Sequence, residues 1–216
     1  MKNKLIIIAV SLCVIITLCY RFLTFQSETY EQGIDISEHQ GIIDWQKINT
    51  KDISFVMIRS SYGTTTDQYF EVNYTQSAKL NLSVGIYHYL CATDEASAIE
   101  EANYVIKLLE GKQFDLPVFL DIEEEEIIHL SQDNLDTVIS AFINTLENNG
   151  YKVGCYTNLS IYLKYLNIAL ISEHPIWIAQ YSGTLIDVPQ ADYWQYTNTG
   201  HIDGIEGEVD LNYKIK

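Results

Sequence analysis

Apolar and polar positions along this chain follow two alternating rhythms. Residues 33–37, 53–61, 83–90, 116–123 and 151–157 are short runs rich in β-branched and aromatic side chains, the composition of strands. Between them the apolar spacing lengthens. Ile99, Ala102, Ile106 and Leu109 before Gly111, and Leu135, Val138, Ile139, Phe142 and Leu146 before Gly150, each put one apolar face on a helix that stops at a glycine. Strand and helix in repeated alternation predict a parallel sheet with right-handed crossovers. The last third departs from this rhythm, because the apolar runs 175–181, 192–197 and 208–215 are separated by stretches too short for packed helices. Eight strands with about five helical connections need fewer residues than the roughly 250 of an ordinary (β/α)8 barrel. The predicted fold class is therefore α/β, a closed TIM-like eight-stranded barrel, (β/α)5β3, whose three terminal strands lack helices.

The first 25 residues are unlike the rest. Lys2 and Lys4 lead into the uncharged run from Leu5 to Tyr20, which Arg21 closes. This is the pattern of an export signal or a membrane anchor, and no clear small-x-small cleavage site follows it, which favours an uncleaved signal-anchor. The two lysines predict a cytoplasmic N-terminus, with the bulk of the chain outside the cell membrane or, if the signal is cleaved, secreted. Residues 26–32 then form a short linker and residues 33–216 a single domain, expected to act as a monomer.

Charge narrows the partners. Residues 26–216 hold ten basic and 29 acidic residues, a formal −19, which argues against nucleic acid or an anionic surface as a partner. Beyond the apolar leader only Cys91 and Cys155 remain, without paired spacing, so neither a disulfide framework nor a zinc site is indicated, and a single bond between them stays open. His39, His88, His129, His174 and His201 share no ligand spacing, and His88, between two tyrosines, reads as a hydrogen-bonded core residue. No metal and no cofactor is expected.

The chemistry concentrates in Leu116-Pro117-Val118-Phe119-Leu120-Asp121-Ile122-Glu123. An apolar strand that ends in two acids one residue apart sets Asp121 and Glu123 on the same face, a candidate acid/base pair. The bland alternative is an exposed strand end running into a solvated loop, which Glu124, Glu125 and Glu126 make plausible.

Further segments carry a resemblance. They are Gly33-Ile34-Asp35-Ile36-Ser37 with His39-Gln40-Gly41, Phe55-Val56-Met57-Ile58-Arg59, Gly85-Ile86-Tyr87-His88-Tyr89, Val153-Gly154-Cys155-Tyr156-Thr157-Asn158, Trp177-Ile178-Ala179-Gln180-Tyr181, Trp194-Gln195-Tyr196 and Val209-Asp210-Leu211-Asn212. Taken in order with the acidic strand, they resemble the glycoside hydrolase family 25 lysozymes, the Chalaropsis-type N-acetylmuramidases. Ser60-Ser61-Tyr62-Gly63 departs from that family's common Ala-Thr-x-Gly, and the extra glutamates after Glu123 depart from it as well.

The resemblance implies hydrolysis of the β-1,4 bond between N-acetylmuramic acid and N-acetylglucosamine in peptidoglycan glycan strands. It makes Glu123 the general acid and Asp121 its partner, with Asp35 and Asp210 in electrostatic support, all at the C-terminal ends of barrel strands. Asp121 has three open roles: orienting the substrate's own 2-acetamido nucleophile, attacking directly, or activating a water on an inverting path. The first is preferred. Of the aromatic residues, Tyr62, Tyr89, Tyr156 and Trp194 are expected to bind substrate at the cleft. A non-catalytic glycan-binding pseudoenzyme and a chitinase-like hydrolase are the competing readings.

Overall fold

A computed structural model describes residues 30–183, 188 and 191–215. The expected signal-anchor lies outside the described residues, and among those described no helix is long and apolar enough to cross a membrane. Nine strands form one sheet: β1 (Glu31–Ile36), β2 (Phe55–Tyr62), the two-residue β3 (Thr65–Thr66), β4 (Ser83–Tyr89), β5 (Val118–Asp121), β6 (Val153–Asn158), β7 (Ile176–Ala179), β8 (Ala191–Gly200) and β9 (Val209–Lys214). Their order is β1-β9-β8-β7-β6-β5-β4-β2-β3, and β1 also pairs with β2. That extra pairing closes eight of them into a barrel, while β3 hangs from β2 as a hairpin through Tyr62 and Thr65. All the barrel strands run parallel except β9, which is antiparallel to both neighbours.

The helices are α1 (Phe70–Lys79), α2 (Glu95–Leu109), α3 (Glu125–Ile128), α4 (Gln132–Asn148), α5 (Leu159–Lys164) and α6 (Ile168–Ile171). They fill the four crossovers from β2 to β7. The first crossover, expected to be helical, carries only a 3₁₀ turn (Glu38–Gln40), capped by Ser37. Gly111 and Gly150 follow α2 and α4 with φ of 75° and 86°, the left-handed geometry that lets a chain leave a helix.

The α4 face matches the sequence pattern, since Leu135, Val138, Ile139, Phe142 and Leu146 are all buried. The α2 face is rotated. Its buried residues are Ala98, Glu101, Ala102, Val105 and Leu109, while Ile99 is 38% exposed. Small Ala98 and Ala102 let the helix approach the barrel closely, and buried Glu101 is drawn inward by His88, whose Nε2 lies 2.9 Å from its Oε2. Two further partners hold His88: Ser61 Oγ lies 2.9 Å from Nδ1, and the Phe142 ring stacks on the imidazole at 5.1 Å.

Strand alternation sorts the core into two shells. Outward residues such as Ile34, Val56, Ile58, Ile86, Leu120, Cys155 and Ile178 meet the helices. Inward residues Phe55, Met57, Phe119, Tyr156, Trp177 and Tyr193 fill the barrel. The interior of eight strands is just wide enough for side chains, so large residues on one strand need small ones beside them. Here the small residue is glycine: Gly33 is paired with Phe55, Gly85 with Met57 and Gly154 with Phe119. A Cβ at Gly33 would overlap the Phe55 ring, one at Gly85 the Met57 sulfur, and one at Gly154 the Phe119 ring.

This complementarity is testable. Gly33→Ala is expected to lower unfolding stability by about 1–3 kcal/mol, the usual penalty of overpacking. Adding Phe55→Leu to the same chain should recover part of that loss. Urea denaturation of wild type, both single variants and the double variant reads the coupling.

Candidate active site

Parallel strands end at one rim, and this brings Asp35 from β1 and Asp121, the last residue of β5, to the same mouth. Asp210 reaches it by another route. It stands at the start of β9, not at a strand's C-terminal end as expected, and the antiparallel direction of β9 puts that start in register with Asp35. Glu123 also lies beyond its expected strand, which stops at Asp121. The backbone stays extended for one more step, because Ile122 N–H donates to Tyr156 O at 2.9 Å. The Glu123 carboxylate then takes a 3.2 Å hydrogen bond from Nδ2 of Asn158, the last residue of β6. In the barrel order three strands lie between β9 and β5 in either direction, so Asp35 and Asp210 face Asp121 and Glu123 across the mouth.

Gln195 on β8 ties the first pair together. It is 1% exposed. Its Oε1 accepts the hydroxyls of Tyr156 at 3.0 Å and Tyr181 at 2.8 Å. That fixes the amide's orientation, and Nε2 donates to Asp35 Oδ2 at 2.9 Å and Asp210 Oδ2 at 3.1 Å. Asn212 Nδ2 donates to the same Asp35 oxygen at 2.8 Å, and its Oδ1 accepts from the Trp177 indole at 2.8 Å. Sequence reading singled out neither amide. Both stand at the inward parity of strands whose other inward residues are Tyr193 and Asp210, and this alternation is the signal that would have found them.

All four carboxyls hold protons more strongly than ordinary acids. Burial, then the charge of Asp210, pushes Asp35 well up. Asp210 rises to about 6, chiefly through burial and despite accepting a hydrogen bond from Asp35. Both members of this dyad therefore resist ionisation. Burial raises Asp121 well above the usual range, the charges of Glu123 and Asp35 add to it, and Arg59 opposes them. Its Oδ1 is buried and has no hydrogen-bond partner among the described residues. Burial raises Glu123 too, while the Asn158 hydrogen bond pulls it down.

The four expected aromatic contacts separate. Tyr62 and Tyr89 line an open cleft of about 440 Å³ together with Glu38, Arg59, Cys91 and Glu124. The Arg59 guanidinium lies 5.3 Å from the Tyr62 ring centroid, and the Tyr89 hydroxyl donates to Glu124 at 3.0 Å. Arg59 is held from behind by Asp67 at 2.8 Å and by an ion-pair contact with Glu38 at 3.0 Å. Tyr156 is buried in the barrel floor, 4.3 Å from Trp177, and meets the site only through its hydroxyl. Trp194 lies on the outer face: Gln195 points inward, so its neighbour points out, where Trp194 packs with Tyr196 and Tyr213 and donates to Gln180 O at 2.9 Å. The expected cleft contact is thus not made by Trp194. Tyr181, whose hydroxyl joins the Gln195 network, stands at the mouth instead. Cys91 and Cys155 are both free, one at the cleft wall and one under the helices. Among the described residues no cluster of three or more His, Cys, Asp or Glu is arranged to hold a metal ion.

Comparison with known proteins agrees with this geometry. The sequence matches Glycosyl hydrolases family 25 over residues 34–205. The autolytic lysozyme of Clostridium acetobutylicum is 30% identical over 184 residues, which cover 84% of this chain and 55% of that protein. Among solved structures, the modular autolysin LytC of Streptococcus pneumoniae, in complex with a synthetic peptidoglycan ligand, superposes with a TM-score of 0.78. It is 27% identical, and the match covers 87% of this chain and 47% of that one. The bacterial lysozyme of Streptomyces coelicolor superposes with a TM-score of 0.76 at 26% identity, over 88% of this chain and 94% of its own. The chain spans about half the length of the first two. A family match that runs through most of the barrel, including three of the four acids at its mouth, makes this chain a member of glycosyl hydrolases family 25.

Proposed function

We propose that this protein is a muramidase that cuts the β-1,4 bond between N-acetylmuramic acid and N-acetylglucosamine in peptidoglycan. The observation that carries the reading is the pairing of a half-buried Glu123 whose affinity for its proton is raised with a fully buried Asp121 that has one bare oxygen. Family membership and the lysozymes among its relatives support it.

Glu123 donates its proton to the glycosidic oxygen as the C1–O bond breaks. The carbonyl oxygen of the substrate's 2-acetamido group closes on C1, and Asp121 Oδ1 accepts the amide N–H. Oδ1 has no other partner among the described residues, and the arrival of this donor favours the ionised form of Asp121 just as positive charge develops on the acetamido group. Glu123, now a carboxylate, takes a proton from the water that opens the ring, so the product retains its configuration. Asp35 and Asp210, with Gln195 and Asn212, hold the opposite wall. The basic flank and apolar run of residues 1–25 support the reading that they export the domain and tether it to the cell membrane.

Two outcomes test the assignment. Glu123→Gln is expected to lower turnover on purified peptidoglycan, followed by release of reducing ends, by about 10²–10⁴-fold. A variant that keeps the wild-type rate would refute it. The rate should also fall as pH rises through the elevated pKa of Glu123. Asn158→Ser keeps a helix cap but removes the donor that favours the charged form, so Glu123 should hold its proton longer and the alkaline limb of the pH–rate profile should move up.

A further inference from the structure

Tyr181 combines two properties that are seldom found together. Its side chain is 54% exposed, yet its hydroxyl is fixed by a 2.8 Å bond to Gln195, which is itself buried. An exposed ring pinned at its polar tip presents one apolar face without the rotamer freedom that binding would otherwise have to remove. The charges of Asp210, Asp35 and Glu123 all reach its hydroxyl, which places it at the rim of the carboxylate site.

Its position around the barrel gives that face a direction. Tyr181 lies just beyond the end of β7, and three strands lie between β7 and β2 either way. Tyr62 ends β2, and Tyr89 ends the adjacent β4. The line from Tyr62 and Tyr89 to Tyr181 therefore crosses the mouth between Asp35–Asp210 on one side and Asp121–Glu123 on the other. Resting on the glycan-cleaving function proposed above, we propose that Tyr181 stacks on a sugar ring of the bound strand, on the side of the scissile bond opposite the Tyr62–Tyr89 cleft. The network that sets the Asp35–Asp210 dyad also holds this platform, so one buried amide orders both the acids and the sugar contact.

Binding separates this from catalysis. The full chain carrying Glu123→Gln, in mild detergent, is titrated calorimetrically with the tetrasaccharide of alternating N-acetylglucosamine and N-acetylmuramic acid. Adding Tyr181→Ala should weaken binding by about five- to tenfold, and Tyr181→Phe, which keeps the ring, by about twofold or less. With Glu123 intact, Tyr181→Ala should raise KM by a like factor, and Tyr181→Phe should leave KM within about twofold of wild type. Unaltered affinity in Tyr181→Ala overturns the proposal. Equal losses in the Phe and Ala variants overturn it too, since they would assign the effect to the hydroxyl and Gln195. A wild-type chain that neither cuts peptidoglycan nor binds the tetrasaccharide removes the proposed function and this inference together, and is told apart because the failure precedes any change at Tyr181.

Discussion

The width of an eight-stranded barrel is the constraint from which the rest of this molecule follows. Its interior has little spare room, and Phe55, Met57 and Phe119 each fit because a neighbouring strand supplies a glycine, Gly33, Gly85 or Gly154, beside them. The reward is a floor of Phe119, Tyr156, Trp177 and Tyr193, whose rings meet edge to face or tilted at 4.3–5.4 Å. Carboxyls standing on that floor have protein beneath them instead of water. Desolvation is accordingly the largest influence on each of the four acids, ahead of any charge nearby.

On this common floor the two carboxyl pairs are supported unequally. Asp35 and Asp210 receive three amide hydrogen bonds from Gln195 and Asn212. Among the described residues Asp121 and Glu123 receive one, from Asn158, and Asp121 keeps an oxygen with none. A satisfied buried network rigidifies, whereas an unsatisfied group favours any ligand that completes it. The acids also weigh on stability in a definite sense. The pKa of Asp210 rises from an ordinary 3.8 to about 6 in the folded chain, so its ionisation counts against folding. That contribution is absent below about pH 4 and complete above about pH 6.

Local rules made much of this legible. The β-branched runs became strands, Gly111 and Gly150 ended helices, and the (β/α)5β3 architecture was readable from connection lengths alone, apart from a first crossover that holds a 3₁₀ turn. Features that depend on pairing between distant segments were not. The direction of β9 decides which of its ends carries Asp210, and nothing near residue 210 states that direction. Trp194 and Gln195 are adjacent, so deciding which of them faces the acids requires the register of β8, and a one-residue error exchanges the two roles. The face of α2 was misjudged for a related reason: Ile99 is the more apolar residue, but a partner on another element, His88, turns Glu101 inward.

The antiparallel seam between β1 and β9 joins the first and last described strands of the domain. Their pairing starts at the outer rim with Glu31 and Lys214, a surface ion pair at 3.3 Å, and runs through Gln32–Tyr213, Gly33–Asn212 and Ile34–Leu211 to Asp35–Asp210. Fraying begins where strands end, so opening from the Glu31–Lys214 rim passes two pairs before it reaches Asn212, which donates to Asp35, and four before it reaches the dyad, whose own end of the seam is held by Gln195 and Asn212. The seam thus works as a zipper with unlike ends: the one at Glu31 and Lys214 is held by a surface ion pair, and the one at the acids is pinned by buried amides.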